Sequence, residues 1–114
     1  MPYLQIQTNQ SLDEAQRQAL MQQSSKAVAD ILGKPENYVM VAIQSSVPML
    51  FAGNDQPLAY LQLKSLGLPE SSTVDFSKAL CDLLNHELDI NPNRIYIEFS
   101  SPDRHMWGWN KQTF

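Results

Sequence analysis

Apolar and polar residues alternate over the first eight positions of the chain: Pro2, Leu4, Ile6 and Thr8 interleave with Tyr3, Gln5, Gln7 and Asn9. A period of two marks a half-buried strand, here predicted over residues 2–8. The period then lengthens. Leu20, Ser24, Ala27, Val28, Ile31 and Leu32 recur every three or four residues with Gln, Arg and Lys opposite, which predicts an amphipathic helix. Ser11 with Glu14 three residues on forms the capping-box pattern at its start, and Gly33 and Pro35 stop it. Residues 38–44 (YVMVAIQ) are β-branched and apolar and predict a second strand, buried on both faces. Residues 45–56, with Pro48, Gly53, Asn54 and Asp55, predict a long loop or short hairpin.

The second half repeats this order. Residues 58–65 (LAYLQLKS) predict strand three, and Ser72 with Asp75 caps a second helix. The inward face of that helix is Phe76, Ala79, Leu80, Leu83, Leu84 and Leu88. Asn91 and Pro92 close it, and residues 94–99 (RIYIEF) predict strand four. The approach to strand two, Ile31 to Val39, parallels the approach to strand four, Leu88 to Tyr96. The chain is thus a duplicated βαβ unit, each with a right-handed crossover between parallel strands. Two such units side by side predict an α+β fold: a four-stranded mixed sheet with both helices on one face. The terminal Trp107, Trp109 and Phe114 predict a short docked strand. The face opposite the helices, with Tyr3, Tyr60 or Leu61, and Tyr96 or Ile97, is read as apolar. An apolar face of that size predicts an oligomer whose sheets point inward.

Composition narrows the class. At 114 residues the chain is read as one domain, residues 1–114. The net charge of −4 comes from scattered residues without a basic stripe, which argues against nucleic-acid binding. No apolar run approaches the ~20 residues of a membrane span, and the N-terminus has no secretion-signal pattern. The single cysteine, Cys81, excludes an internal disulfide and falls on a helix as a small apolar filler. The expected compartment is the cytoplasm; unconventional secretion would leave no mark on the sequence.

Pro2 is the first chemically distinctive residue. Removal of Met1 would leave it with a free secondary amine at the start of a strand. Burial disfavours the charged form of an amine and lowers its pKa from about 8, which makes a base usable near neutrality. Proline at a strand start also has a purely structural reading, since no ladder N–H is missed there.

Five stretches then combine: strand one beginning at Pro2, Gly33-Lys34-Pro35, Ser65-Leu66-Gly67, Arg94-Ile95-Tyr96-Ile97, and the closing Gly108-Trp109-Asn110-Lys111-Gln112-Thr113-Phe114. With them, the sequence resembles the macrophage migration inhibitory factor family, of the tautomerase superfamily with an amino-terminal proline. The resemblance spans essentially the whole chain. It implies a homotrimer of βαβ-βαβ protomers with short edge strands pairing between subunits and active sites at subunit interfaces. It also implies cofactor-free, metal-free keto–enol tautomerisation of phenylpyruvate-like aromatic α-keto acids, and often isomerisation of dopachrome.

Carried over position by position, the resemblance makes Pro2 the general base and Lys34 the partner of the substrate carboxylate. The Leu66 N–H is a main-chain donor to the same carboxylate, with Ser65 beside it. Tyr96 matches a pocket tyrosine contributed by the neighbouring subunit. Tyr3, Tyr38, Trp107, Trp109 and Phe114 complete an aromatic enclosure. Glu98 stands where mammalian relatives have asparagine and would set a negative charge beside an anionic substrate. Trp107 replaces a smaller residue at the pocket mouth, so dopachrome activity is expected to be weak. Leu58 and Leu61 occupy the places of the CxxC cysteines, which excludes thiol–disulfide activity. A cytokine-like signalling trimer with vestigial pocket chemistry is the alternative of a different class. Hydration or dehalogenation of small unsaturated acids, which typically needs a pocket arginine, is a third reading, with Arg94 and Arg104 available.

Overall fold

The computed structural model describes residues 1–114. In chain order the principal elements are β1 (Tyr3–Thr8), α1 (Glu14–Leu32), β2 (Met40–Gln44), β3 (Ala59–Lys64), α2 (Thr73–Leu88) and β4 (Ile95–Ser100). A closing hairpin follows, of β5 (Gly108–Trp109) and β6 (Gln112–Thr113). The sheet order is β2-β1-β3-β4, with β1–β2 and β3–β4 parallel and β1–β3 antiparallel. This is the predicted α+β fold of two βαβ units.

Register decides which residues form the core. Leu4 stands opposite Val41 and Leu63, and Ile6 opposite Ile43 and Leu61. These residues face the helices, where Leu20 and Val28 of α1 and Phe76, Leu80 and Leu84 of α2 join a cluster of 14 buried residues. Thr8 is buried among them because its hydroxyl donates to the Leu58 carbonyl at 2.8 Å. Cys81 packs against this cluster as a partly buried residue.

Four local expectations are corrected. The cap of α1 is Asp13, not Ser11: its carboxylate accepts the Gln16 N–H, and the Gln16 side chain accepts the Asp13 N–H. Helix α2 has Ser72 at its N-cap, but no side-chain bond forms there. Strand β2 is not buried on both faces. It is an edge of the sheet, and Met40 is 66% exposed. The terminal residues form a two-stranded hairpin paired to itself instead of a single docked strand.

The outer face of the sheet also differs from expectation. Register sets Gln5 beside Gln62 and Glu98, and Gln7 beside Gln44, Tyr60 and Tyr96. The face is polar, with tyrosines at intervals, because Leu61 and Ile97 fall on the helix side. An apolar patch therefore gives no argument for an oligomer here.

Candidate active site

Pro2 precedes β1 and is fully buried, with its carbonyl accepting the Met40 N–H at 3.0 Å. That bond continues the β1–β2 ladder and fixes the start of the chain against the edge strand. Around Pro2 lies a cavity of ≈ 610 Å³ lined by thirteen residues, ten of them hydrophobic, including Tyr3, Tyr38, Met40, Trp107, Trp109 and Phe114. The Trp109 ring stacks on Phe114 at 5.5 Å and meets Tyr38 edge-on at 6.0 Å. The closing hairpin holds these rings in place. Asn110 and Lys111 turn it at positive φ, and the Phe114 N–H donates to the Trp107 carbonyl at 3.2 Å.

A smaller recess of ≈ 200 Å³ adjoins the cavity and shares Met1, Tyr38 and Phe114 with it. Lys34, Pro35, Leu66 and Arg104 complete its wall. Lys34 arrives there because Gly33, at φ 61°, ends α1 in the left-handed region that glycine adopts at little cost. Its Nζ donates to the Leu66 carbonyl at 2.8 Å. The Leu66 N–H, in contrast, meets no acceptor in the chain. Arg104 donates through Nε to the Phe114 main-chain oxygen at 3.2 Å. No acidic side chain lines the recess.

Met1 lines both hollows. Partial burial, then the Lys34 ammonium, then the Arg104 guanidinium hold the pKa of its α-amine below the ordinary α-amino value. An amine at this end of the chain is thus biased toward its neutral, proton-accepting form.

The structure brings Pro2, Tyr3, Tyr38, Lys34, Leu66, Trp107, Trp109 and Phe114 around one connected depression. It does not bring Tyr96, Glu98 or Ser65 there within a single copy of the chain. Tyr96 lines a separate apolar hollow of ≈ 290 Å³, with its ring 4.8 Å from Phe51. Glu98 accepts the Tyr60 hydroxyl at 2.8 Å on the outer sheet face. Ser65 is fully buried, its hydroxyl directed at the Leu66 carbonyl. Arg94 donates to the carbonyls of Asn54, Gln56 and Pro57 and lies over the Phe51 ring, a fastening of the 45–56 loop.

Arg104 was only weakly signalled by the sequence. The sequence offers it only beside Arg94, as an arginine available for hydration or dehalogenation of small unsaturated acids. No group of three or more His, Cys, Asp or Glu side chains converges as a metal ligand set, and no helix is long and apolar enough to cross a membrane.

The family model described as macrophage migration inhibitory factor (MIF) matches residues 1–114. Among curated proteins, a macrophage migration inhibitory factor homolog of Brugia malayi is 37% identical over 100% of this chain and 99% of its own. The macrophage migration inhibitory factor of Mus musculus is 34% identical over the same shares. Among solved structures, the homologue from Prochlorococcus marinus superposes with a TM-score of 0.92 at 39% identity, covering 98% of each chain.

Proposed function

The chain belongs to the macrophage migration inhibitory factor family, within the tautomerase superfamily, and from that premise we propose that it is a keto–enol tautomerase of phenylpyruvate-like aryl α-keto acids. The observation that supports this most is the junction of two hollows at Met1. An apolar, aromatic-walled cavity meets a small cationic recess at the start of the chain. An aryl keto acid has the same two ends.

In this reading, removal of Met1 transfers the α-amine to Pro2. The Pro2 ring is more deeply buried than Met1, and burial disfavours a charged amine, so the pKa of the Pro2 nitrogen is expected to be depressed in the same direction as that of the Met1 amine. The substrate carboxylate sits in the recess on Lys34 and the free Leu66 N–H. Lys34 keeps two of its three ammonium protons for this purpose after bonding the Leu66 carbonyl. The aryl ring lies among Tyr38, Trp109 and Phe114. The neutral Pro2 nitrogen takes a proton from C3, the C–H electron pair becomes the C2=C3 double bond, and the carbonyl pair moves to oxygen. The same nitrogen then returns the proton to that oxygen, giving the enol. The step needs no metal or organic cofactor. Trp107, on the wall of the cavity, narrows it against the bulkier dopachrome ring.

A homotrimer belongs to the same proposal. Tyr96 and Glu98 are absent from the lining of the Pro2 cavity within one copy, so the roles the family pattern gives them require a second copy of the chain. The test is phenylpyruvate tautomerisation by the protein with Met1 removed and by its Pro2→Gly variant, each with its mass in solution determined. Loss of at least ~10²-fold in Pro2→Gly is expected, as for removal of a general base. Full activity in that variant overturns the mechanism. Folded wild-type trimers without activity would instead favour a binding or signalling role.

A further inference from the structure

We propose that Arg104 is a catalytic residue that stabilises the negative charge developing on the enolate oxygen. The inference rests on the tautomerase reading above and adds to it a residue and a charge. The recess beside the amine is lined by two cationic side chains and no acidic one. Neither Lys34 nor Arg104 forms an ion pair with an acidic side chain anywhere in the structure. Lys34 is spent in part on the Leu66 carbonyl, on the side where that residue's N–H is free. Arg104 approaches from the opposite segment, fastened through Nε to the Phe114 main-chain oxygen. Its two terminal NH₂ groups have no acceptor in the chain, and the residue forms part of the wall of the recess.

The charge of the reaction matches that arrangement. An α-keto acid enters with one negative charge, on its carboxylate. When the Pro2 nitrogen removes the C3 proton, the C–H pair forms C2=C3 and the carbonyl pair passes to oxygen, so the intermediate has two. The new charge is on the oxygen next to the carboxylate. A single cation suffices for the ground state; the second is needed only once the enolate forms. An interaction of that kind raises kcat, not ground-state affinity. A planar guanidinium with two free NH₂ groups suits an oxygen whose position is set by a neighbouring anchor.

The experiment is steady-state kinetics of phenylpyruvate tautomerisation by the full chain with Met1 removed, comparing Arg104→Gln, Arg104→Lys and the wild type. Arg104→Gln should lower kcat about tenfold or more while KM changes less than about threefold, a smaller loss than the ~10²–10³ of a buried oxyanion donor because Arg104 is exposed. Arg104→Lys keeps the charge without the planar fork and should recover part of the lost kcat. A rise in KM at constant kcat would make Arg104 a carboxylate anchor and overturn the proposal. So would a Lys variant as slow as the Gln variant, which would make Arg104 a fastening for the Phe114 end. Unchanged tryptophan fluorescence in both variants shows that the closing hairpin has kept its place. An inactive wild type would defeat the tautomerase reading itself, whereas an active wild type with an unaffected Arg104→Gln defeats only this inference.

Discussion

The Lys34 ammonium donates to the Leu66 main-chain oxygen at 2.8 Å, joining the end of α1 to the loop after β3 across 32 positions of sequence. A flexible lysine stem is thereby held in one orientation, beside a main-chain N–H that is free. The bond has a cost when broken, because Leu66 is 5% exposed and its carbonyl would keep only the longer contact from the Ser65 hydroxyl, at 3.3 Å.

Lys34→Ala should therefore act mainly on binding. A charge-assisted hydrogen bond contributes about 1.5–3 kcal/mol, and about 1.4 kcal/mol is tenfold, so KM for phenylpyruvate should rise about 10- to 100-fold. Steady-state kinetics check this. A fall in kcat with KM unchanged would remove Lys34 from the ground-state carboxylate site.

The amine at the start of the chain predicts a pH dependence with a definite sign. Burial, then Lys34, then Arg104 lower the pKa of the Met1 amine; a Pro2 amine taking its place is expected to follow that direction, leaving the neutral base available below the ordinary value of about 8. The profile of kcat/KM should lose activity on its acidic limb, as the amine is protonated, with a midpoint below 8. Lys34→Ala removes one of the depressing charges and should move that limb to higher pH. The same shift enters stability. The unfolded chain binds more protons between the two pKa values, so this stabilisation is complete above the unfolded value and is lost as pH falls through the folded one. Rate profiles and denaturation at several pH values measure the two effects separately.

Tyr60 and Glu98 make a third measurable pair. The bond to the Glu98 carboxylate, first, and desolvation, second, raise the Tyr60 phenol above its ordinary value of about 10. Glu98→Gln removes the acceptor charge, so the phenol should titrate at lower pH than in the wild type. Absorbance of the phenolate reads this directly. An unchanged titration would mean that the two side chains do not meet in solution.

The outline of this fold was legible because its two periods are unambiguous. Leu4, Ile6 and Thr8 face the core as their alternation requires, and the Leu80–Leu84 stripe does the same on α2. Features that depend on neighbours were harder to read. Residues 39–43 are apolar enough for a central strand, yet nothing within the chain pairs with β2 on its far side. Phase along β3 and β4 could not be chosen between Tyr60 and Leu61, or Tyr96 and Ile97, until register was known. That ambiguity made a glutamine-rich face look apolar. The capping-box pattern points to Ser11 as the cap, whereas the reciprocal bond with Gln16 selects Asp13, two residues further on. In the candidate site, Pro2 and Lys34 were visible as residue types in a known pattern. Arg104 was visible only as an available arginine for a different chemistry, because it joins them only when residues 104–114 fold back over the chain start.

Those terminal residues also predict substrate preference. Trp109 makes two ring contacts, stacked on Phe114 and edge-on to Tyr38, and is 46% exposed, so its removal opens the cavity without emptying the core. Aromatic contacts contribute about 0.5–1.5 kcal/mol each beyond burial. Trp109→Ala loses both of its own and frees Phe114 and Tyr38 to move. Lys34 keeps its place, since it is positioned by Gly33 and Leu66 and not by the hairpin. Phenylpyruvate should then bind about fivefold or more weakly, while a small keto acid without a ring, such as pyruvate, should change by less than about twofold. Parallel KM measurements on the two acids decide between this and a general collapse of the site. Equal weakening of both would mean that the hairpin positions the amine and Lys34 as well as the ring.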